Sequence, residues 1–396
     1  MIFKKLSVLL IAILGISTAS FAQIVPPGGG QSATSDGRRG NTITTAVPFL
    51  LISPDARSGS MGDVGSAIAP DVNSTHWNPA KLAFMKNPYG FGMSYTPWLQ
   101  KLVPDINLAY LNGYYRLDDR NVIGGSLRFF SLGEIQLVDA NQTYLGVYSP
   151  NELAVDGTFA RTFGDNFSLG TAIRFIYSNL SSGQFFDGQQ TRPGTALAAD
   201  VSAYYQNDQD VLGKPATLAF GLDISNIGTK MSYTDGGNLK YFLPTNMRLG
   251  TASTFHLDAF NDFTVALDLN KLLVPTPPLY DSNGRIIAGK DPNRSVPAGI
   301  FGSFSDAPGG GSEELQEVSI STGLEYWYNK QFAVRAGYFY ENPNKGSRQY
   351  LTVGLGLKYN IVDIDFSYLL ANQQKSPLAN TLRFSLLFNF GENGVK

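Results

Sequence analysis

The sequence predicts an all-β chain: a transmembrane antiparallel β-barrel of about fourteen strands with an N-terminal hatch or plug segment. Three observations carry that expectation. Apolar and polar residues alternate with period two again and again after residue 88, the mark of half-buried strands. The alternating segments run to about ten residues, the reach of a tilted strand across a bilayer, where soluble strands take about five or six. Connections between them alternate short and long, as expected of barrels with tight turns at one rim and loops at the other.

Composition agrees and excludes other classes. Charged residues make up 16% of the 396, well under the roughly 25% of soluble domains. Lys+Arg number 30 against 32 Asp+Glu, so no basic excess points to nucleic acid. With no Cys and only 2 His, disulfide frameworks, thiolate metal sites and His-based triads have little to be built from.

In chain order, Lys4 and Lys5, the apolar run Leu6 to Ile16 and Ser20-Phe21-Ala22 read as a cleavable secretory signal over residues 1–22. Gly15, Ser17, Thr18 and Ser20 interrupt the run before it reaches membrane-helix length. Ser20-Phe21-Ala22 is followed by Gln23, with no Cys for a lipid anchor. Residues 23–42, with Pro26, Pro27 and Gly28 to Gly30, are expected to form a flexible periplasmic tail. Residues 43–88 are rich in small residues, Gly and Pro and read as a compact irregular unit. It is expected to plug the barrel; a separate periplasmic cap is the alternative.

The barrel is placed at 89–391. Its strands are expected near 89–98, 106–116, 121–132, 152–163, 166–178, 195–206, 216–227, 245–256, 261–270, 317–327, 331–342, 349–359, 361–371 and 380–390. The last is the clearest: Leu382, Phe384, Leu386, Phe388 and Phe390 share one face, opposite Arg383, Ser385 and Asn389. Alternation is blurred in 106–116 and 152–163, so their register stays open. Tyr114 and Tyr115, Tyr204 and Tyr205, Tyr326 and Trp327, and Tyr338 and Tyr340 sit near segment ends, as interfacial girdles do. Lipid offers a sheet edge no partner, so the sheet must close. An even strand number then puts both termini in the periplasm of a Gram-negative outer membrane.

Arg128, Arg174, Arg248, Arg335, Arg383, Asp200, Asp223, Asp268, Asp363 and Asp365 fall on the inward face. Mixed signs at that density suggest a salt-bridged interior, where an ion-selective pore would show one sign. The long connection 271–316 is punctuated by prolines and a hairpin signal at Asp281-Ser282-Asn283-Gly284. Its Pro275, Pro277, Pro278, Tyr280, Ile286 and Ile287 are the candidate partner-contact residues. Asp71 to Thr75 lacks the Gly and Glu of a calcium loop, and no G-x-S-x-G or H-E-x-x-H occurs. No catalytic residue, metal ligand or cofactor is therefore assigned, and the chain does not read as an enzyme. His76 and His256 read as packed and interfacial, respectively.

One stretch carries a resemblance. Residues 54–83, PDARSGSMGDVGSAIAPDVNSTHWNPAKLA, resemble the amino-terminal hatch of the FadL-like outer-membrane family. The core is Trp77-Asn78-Pro79-Ala80, preceded by Ala56-Arg57 and Met61-Gly62. With the lead Ile52-Ser53-Pro54-Asp55-Ala56-Arg57, it is similar to the PorV family of type IX secretion. That resemblance implies a plugged outer-membrane barrel with Arg57, Trp77, Asn78, Pro79 and Ala80 as its hatch motif. It implies a role in secretion by binding and handover. The partners would be a giant translocon barrel of SprA or Sov type, secreted proteins with type IX C-terminal domains, and the attachment complex that includes PorU, with outer-membrane lipid around the barrel. The alternative within the family is transport of long-chain fatty acids or other hydrophobic molecules. Lipopolysaccharide deacylation ranks last, since no nucleophile–base pair is present to carry it. On the residues alone, Asn78 caps a short helix and Pro79 fills its first position.

Overall fold

In a computed structural model, the chain is described at residues 32–33, 39–99, 105–138, 144–180, 185–186, 189–234, 240–371 and 378–391. The expected signal, 1–22, and most of the expected tail, 23–42, lie outside the described residues.

Fourteen strands form one closed antiparallel barrel. They are β1 Tyr89–Pro97, β2 Ile106–Arg116, β3 Asn121–Leu132, β4 Asn151–Thr162, β5 Phe167–Asn179, β6 Gly194–Val211, β7 Lys214–Gly228, β8 Asn246–His256, β9 Asn261–Leu272, β10 Ser319–Tyr328, β11 Phe332–Tyr340, β12 Gln349–Tyr359, β13 Val362–Ala371 and β14 Leu382–Phe390. Each pairs with its sequence neighbours, and β14 closes the ring on β1 in the register Phe384↔Tyr95 to Phe390↔Tyr89. Stacked rings reinforce that seam on the outer face: Phe91 on Phe388 at 4.7 Å and Tyr89 on Phe390 at 5.1 Å.

The alternation in the sequence is the inside–outside pattern of the wall. On β12, Leu351, Val353, Leu355 and Leu357 are exposed on the outer surface, and Tyr350, Thr352, Gly354 and Gly356 face in. The two strands of open register obey the same rule. On β2, Leu108, Tyr110, Asn112 and Tyr114 are buried while Leu111 and Tyr115 are exposed. On β4, Ala154, Asp156, Thr158 and Ala160 are buried while Val155 and Phe159 are exposed. The pattern of β2 is blurred because its inward positions carry large rings that pack on residues 41–88; the Tyr110 hydroxyl lies 2.7 Å from Thr75 Oγ1.

An outward face of this kind is built for lipid. Leu355→Arg, at mid-strand of β12, is expected to cost about 2–4 kcal/mol. Urea titration of the folded fraction in phospholipid vesicles measures it; an unchanged midpoint would mean this face does not meet hydrocarbon.

The six connections following the even-numbered strands β2 to β12 are two to four residues long. The connections at the other rim are all eight residues or longer. The longest joins Leu272 to Ser319 and contains a small hairpin, Leu279–Tyr280 with Ile286–Ala288, and two short helices, α3 Val296–Gly302 and α4 Gly311–Gln316. The hairpin turn falls where the sequence signals it: the Asp281 carboxylate accepts from the backbone N–H groups of Asn283 and Arg285, and Gly284 supplies a φ of 76°.

Residues 41–88 run along the inside of the wall from one rim to the other. At the long-connection rim, Asn41 donates to Asn344 O, and the Ala46 N–H donates to Phe242 O at 2.9 Å. At the short-turn rim, Arg116 donates through its backbone to Pro88 O and through its side chain to Met85 O. Asn41 and Gly391 are therefore at opposite rims; the termini themselves, on which the expectation of a shared side bears, lie outside the described residues. Strand parity places residues 89 and 390 at one rim, and residue 41 lies at the other.

Candidate functional site

The interior is a layer of buried charge between the wall and residues 41–88. Two short helices, α1 Ala56–Gly59 and α2 Ser74–Trp77, and a 3-10 turn, Pro79–Phe84, shape that segment. α1 starts at Asp55, whose carboxylate accepts from Ser58 N at 2.9 Å. The other oxygen of Asp55 accepts from the Trp77 indole N–H at 2.6 Å, tying the start of α1 to the end of α2.

Arg57 projects from α1 to the wall. It grips Glu325 of β10 with two hydrogen bonds of 3.0 and 2.8 Å and holds Asp71 at 3.0 Å. Glu325 is shared with Arg335 of β11 at 2.6 Å, and Arg335 reaches Asp365 of β13 at 2.6 Å. A second chain of charge crosses the opposite wall. Asp156 of β4 meets Arg174 of β5 at 2.5 Å and Arg128 of β3 at 3.7 Å, and Arg174 continues to Asp200 of β6 at 2.8 Å. In between, Asp268 of β9 accepts from the backbone N–H groups of Gly65 and Ser66 at 2.8 and 2.9 Å.

The motif around Asn78 seats the segment on β5 and β6. Asn78 caps the 3-10 turn through Ala80 N at 3.1 Å, and Pro79 fills the first position. The Asn78 amide donates to Ser66 O and Ala203 O, both at 3.0 Å. Ala80 donates to Ser202 Oγ at 3.0 Å and accepts from Ser168 Oγ at 2.7 Å. Close approach requires a wall without side chains there: a Cβ on Gly170 would collide with the backbone of Pro79 and Ala80, and one on Gly337 with Met61 and Gly62. Lys81 and His76 are buried in the same segment, and Lys81 Nζ donates to Gly65 O at 2.8 Å.

The structure thus brings Arg57, Trp77, Asn78, Pro79 and Ala80 into one interface with the wall, together with most of the inward charges read from the sequence. Asp363 is half-exposed, and Asp223 is buried. Sequence reasoning missed Asp156 and Glu325, the acids at the centres of the two networks. Carrying the outward phase of Ile320, Leu324 and Tyr326 through β10 would have placed Glu325 inside.

The second candidate group lies apart, on the long connection above the rim. Pro275 and Pro278 are buried within it, and Pro277 O accepts from Asn41 at 3.0 Å, whereas Tyr280, Ile286 and Ile287 are exposed. Two residues outside the candidate set are barer still: Phe301 at 80% and Leu315 at 77%. The connection is pinned from below. Lys271 binds Glu314 at 2.9 Å and Glu317 at 2.6 Å, Lys345 binds Glu313 at 2.6 Å and Glu317 at 3.0 Å, and Arg294 binds Asp306 at 2.7 Å. Although burial opposes it, Lys345 holds the Glu313 carboxyl below its usual range.

Comparison with known proteins agrees with this architecture. The family described as Type IX secretion system protein PorV matches residues 34–279. Among curated proteins, none matches the chain. Among solved structures, a mutant of the monoaromatic hydrocarbon channel TodX is 12% identical with a TM-score of 0.50, covering 85% of this chain and 99% of that one. The toluene transporter TbuX of Ralstonia pickettii is 12% identical with a TM-score of 0.44, covering 85% and 98%. A FadL homologue of Pseudomonas aeruginosa is 11% identical with a TM-score of 0.43, covering 89% and 100%. At such identities the likeness concerns the fold alone.

Proposed function

The chain belongs to the PorV family of type IX secretion system proteins, and from that premise we propose that it works as a docking and handover component in the outer membrane. Its long-connection rim faces outward. It associates with the translocon barrel of SprA or Sov type, receives secreted proteins through their C-terminal domains, and passes them to the attachment complex that includes PorU. Translocation itself takes place in the partner.

The observation that carries this reading is where order and exposure coincide. Residues 41–88 lie against the inside of the wall, joined to it by the buried pairs of Arg57 with Glu325 and Asp63 with Arg383, which a wide conduit would have to break. The long connection from Leu272 to Ser319 is instead held still by Lys271 and Lys345 while it presents Phe301, Leu315 and Ile287 to the surroundings. Rigid apolar side chains at a rim are what a partner surface recognises with little ordering cost.

Deleting the gene is expected to leave cargo bearing type IX C-terminal domains in the periplasm, read by cell fractionation. Normal export in the deletion strain would refute the reading. Uptake of labelled long-chain fatty acid is expected to be unchanged, and its loss with normal export would favour the transporter alternative.

A further inference from the structure

We infer that residues 42–52 form a strap coupled to the long connection: docking there releases the strap, and Val47 leaves a strained backbone as the strap moves into the adjoining cavity. This rests on the docking reading above and adds how the lumen responds to a docked partner.

Val47 is the strained point. Its φ of 46° and ψ of 52° are left-handed, although it is β-branched and precedes Pro48. Both features disfavour such a backbone, which persists only where neighbours enforce it. Here the neighbours are mostly apolar. Val47 is fully buried, the Phe49 ring stacks on Phe130 of β3 at 6.0 Å, and Leu50 O accepts from Arg128 at 3.0 Å.

The strap is attached unlike the rest of the lumen segment. Residues 42–52 contain no charged side chain, so no ion pair holds them. Farther along, the chain is fastened by Arg57 to Glu325, by Asp63 to Arg383, and by the N–H groups of Gly65 and Ser66 to Asp268. The strap also has room beside it. A cavity of about 410 Å³ is lined by Thr44, Leu51 and Ile52 together with Asn246 of β8 and Asn270 of β9.

The ties of the strap to the rim lead to the two helices of the long connection. Asn41, where the strap starts, donates to Pro277 O at 3.0 Å and to Glu313 of α4 at 2.9 Å. Ala46 donates to Phe242 O at 2.9 Å, and the Phe242 ring lies against Gly299 of α3, where a Cβ would come within 2.8 Å of it. α3 and α4 also carry Phe301 and Leu315, the barest side chains of the docking surface. A partner that displaces this connection pulls on both ties, and relief at Val47 then favours the moved strap.

The chain has no Cys, so Thr44→Cys and Asp119→Cys, the latter in the β2–β3 turn, each take one nitroxide label. In double electron–electron resonance on the purified full chain in detergent, a single distance between the two labels is expected. Asn41→Ala, which cuts the tie to α4, is expected to add a second distance, and so is the complex co-purified with the translocon barrel. An unchanged distance in the Asn41→Ala chain overturns the inference. A recovered complex with an unmoved strap removes this inference alone; failure to recover the complex removes the docking reading and this inference with it. Strain at Val47 has its own readout. Hydrogen exchange at the Leu50 and Ile52 N–H groups, both bonded within the strap, is expected to be about fivefold slower in Val47→Gly than in Val47→Ala. Glycine accepts a left-handed backbone and alanine does not. Equal or faster exchange with glycine would show an unstrained Val47 and overturn the release step.

Discussion

Replacing Glu325 by alanine is expected to cost about 3–5 kcal/mol of barrel stability. The carboxylate is 2% exposed and, among the described residues, is the group that joins Arg57 of the lumen segment to Arg335 of the wall. Without it, two guanidinium groups face each other at the edge of a cavity, with Asp71 left to Arg57 and Asp365 left to Arg335. The cost comes from the lost attraction and from the N–H groups of Arg57 and Arg335 that lose their acceptor, so Glu325→Gln, which restores one neutral carbonyl, is expected to be nearly as damaging despite its shape. Urea unfolding in phospholipid vesicles gives the number; a loss below about 1 kcal/mol, the range of exposed ion pairs, would mean that the network is solvated.

Trp77→Ala is the second large effect, again about 3–5 kcal/mol, the usual range for deleting a buried aromatic ring. The ring fills the space left by the missing side chain of Gly65 and supports the Arg248 guanidinium. Its N–H is also the donor to Asp55, whose carboxylate is buried and loses a partner at 2.6 Å when the indole is removed. Trp77→Phe separates the two contributions. It keeps most of the ring, and its remaining loss of about 1–3 kcal/mol measures the unsatisfied carboxylate. Full recovery with Phe, in the same titration, would show that the Asp55 contact contributes nothing.

The outward face of the wall was readable because lipid imposes one rule on every strand. Leu351, Val353, Leu355 and Leu357 need only be apolar, and their period is visible without any partner. The inward face answers to particular neighbours, so its logic is not local. Tyr110 and Tyr114 look like outward residues until the lumen segment that covers them is known, which is why the register of β2 stayed open. Asn78 and Pro79 were legible as a cap and first turn, since capping is a matter of adjacent residues. That the cap also clamps β5 and β6 depends on Gly170 and Ser202, some ninety and more than a hundred positions away. Arg57 stood out by motif, but its partner Glu325 lies 268 residues on and carries no mark of the pairing.

Affinity purification from detergent-solubilised outer membrane tests the handover claim most directly. An epitope tag in the β6–β7 turn at Leu212, 88% exposed and on the rim away from the long connections, leaves the proposed contacts free. The account predicts recovery of a very large translocon barrel together with cargo bearing type IX C-terminal domains, both reduced when Phe301 and Leu315 are replaced by Asp. Recovery of the tagged chain alone, from membranes in which that translocon is present, would contradict it.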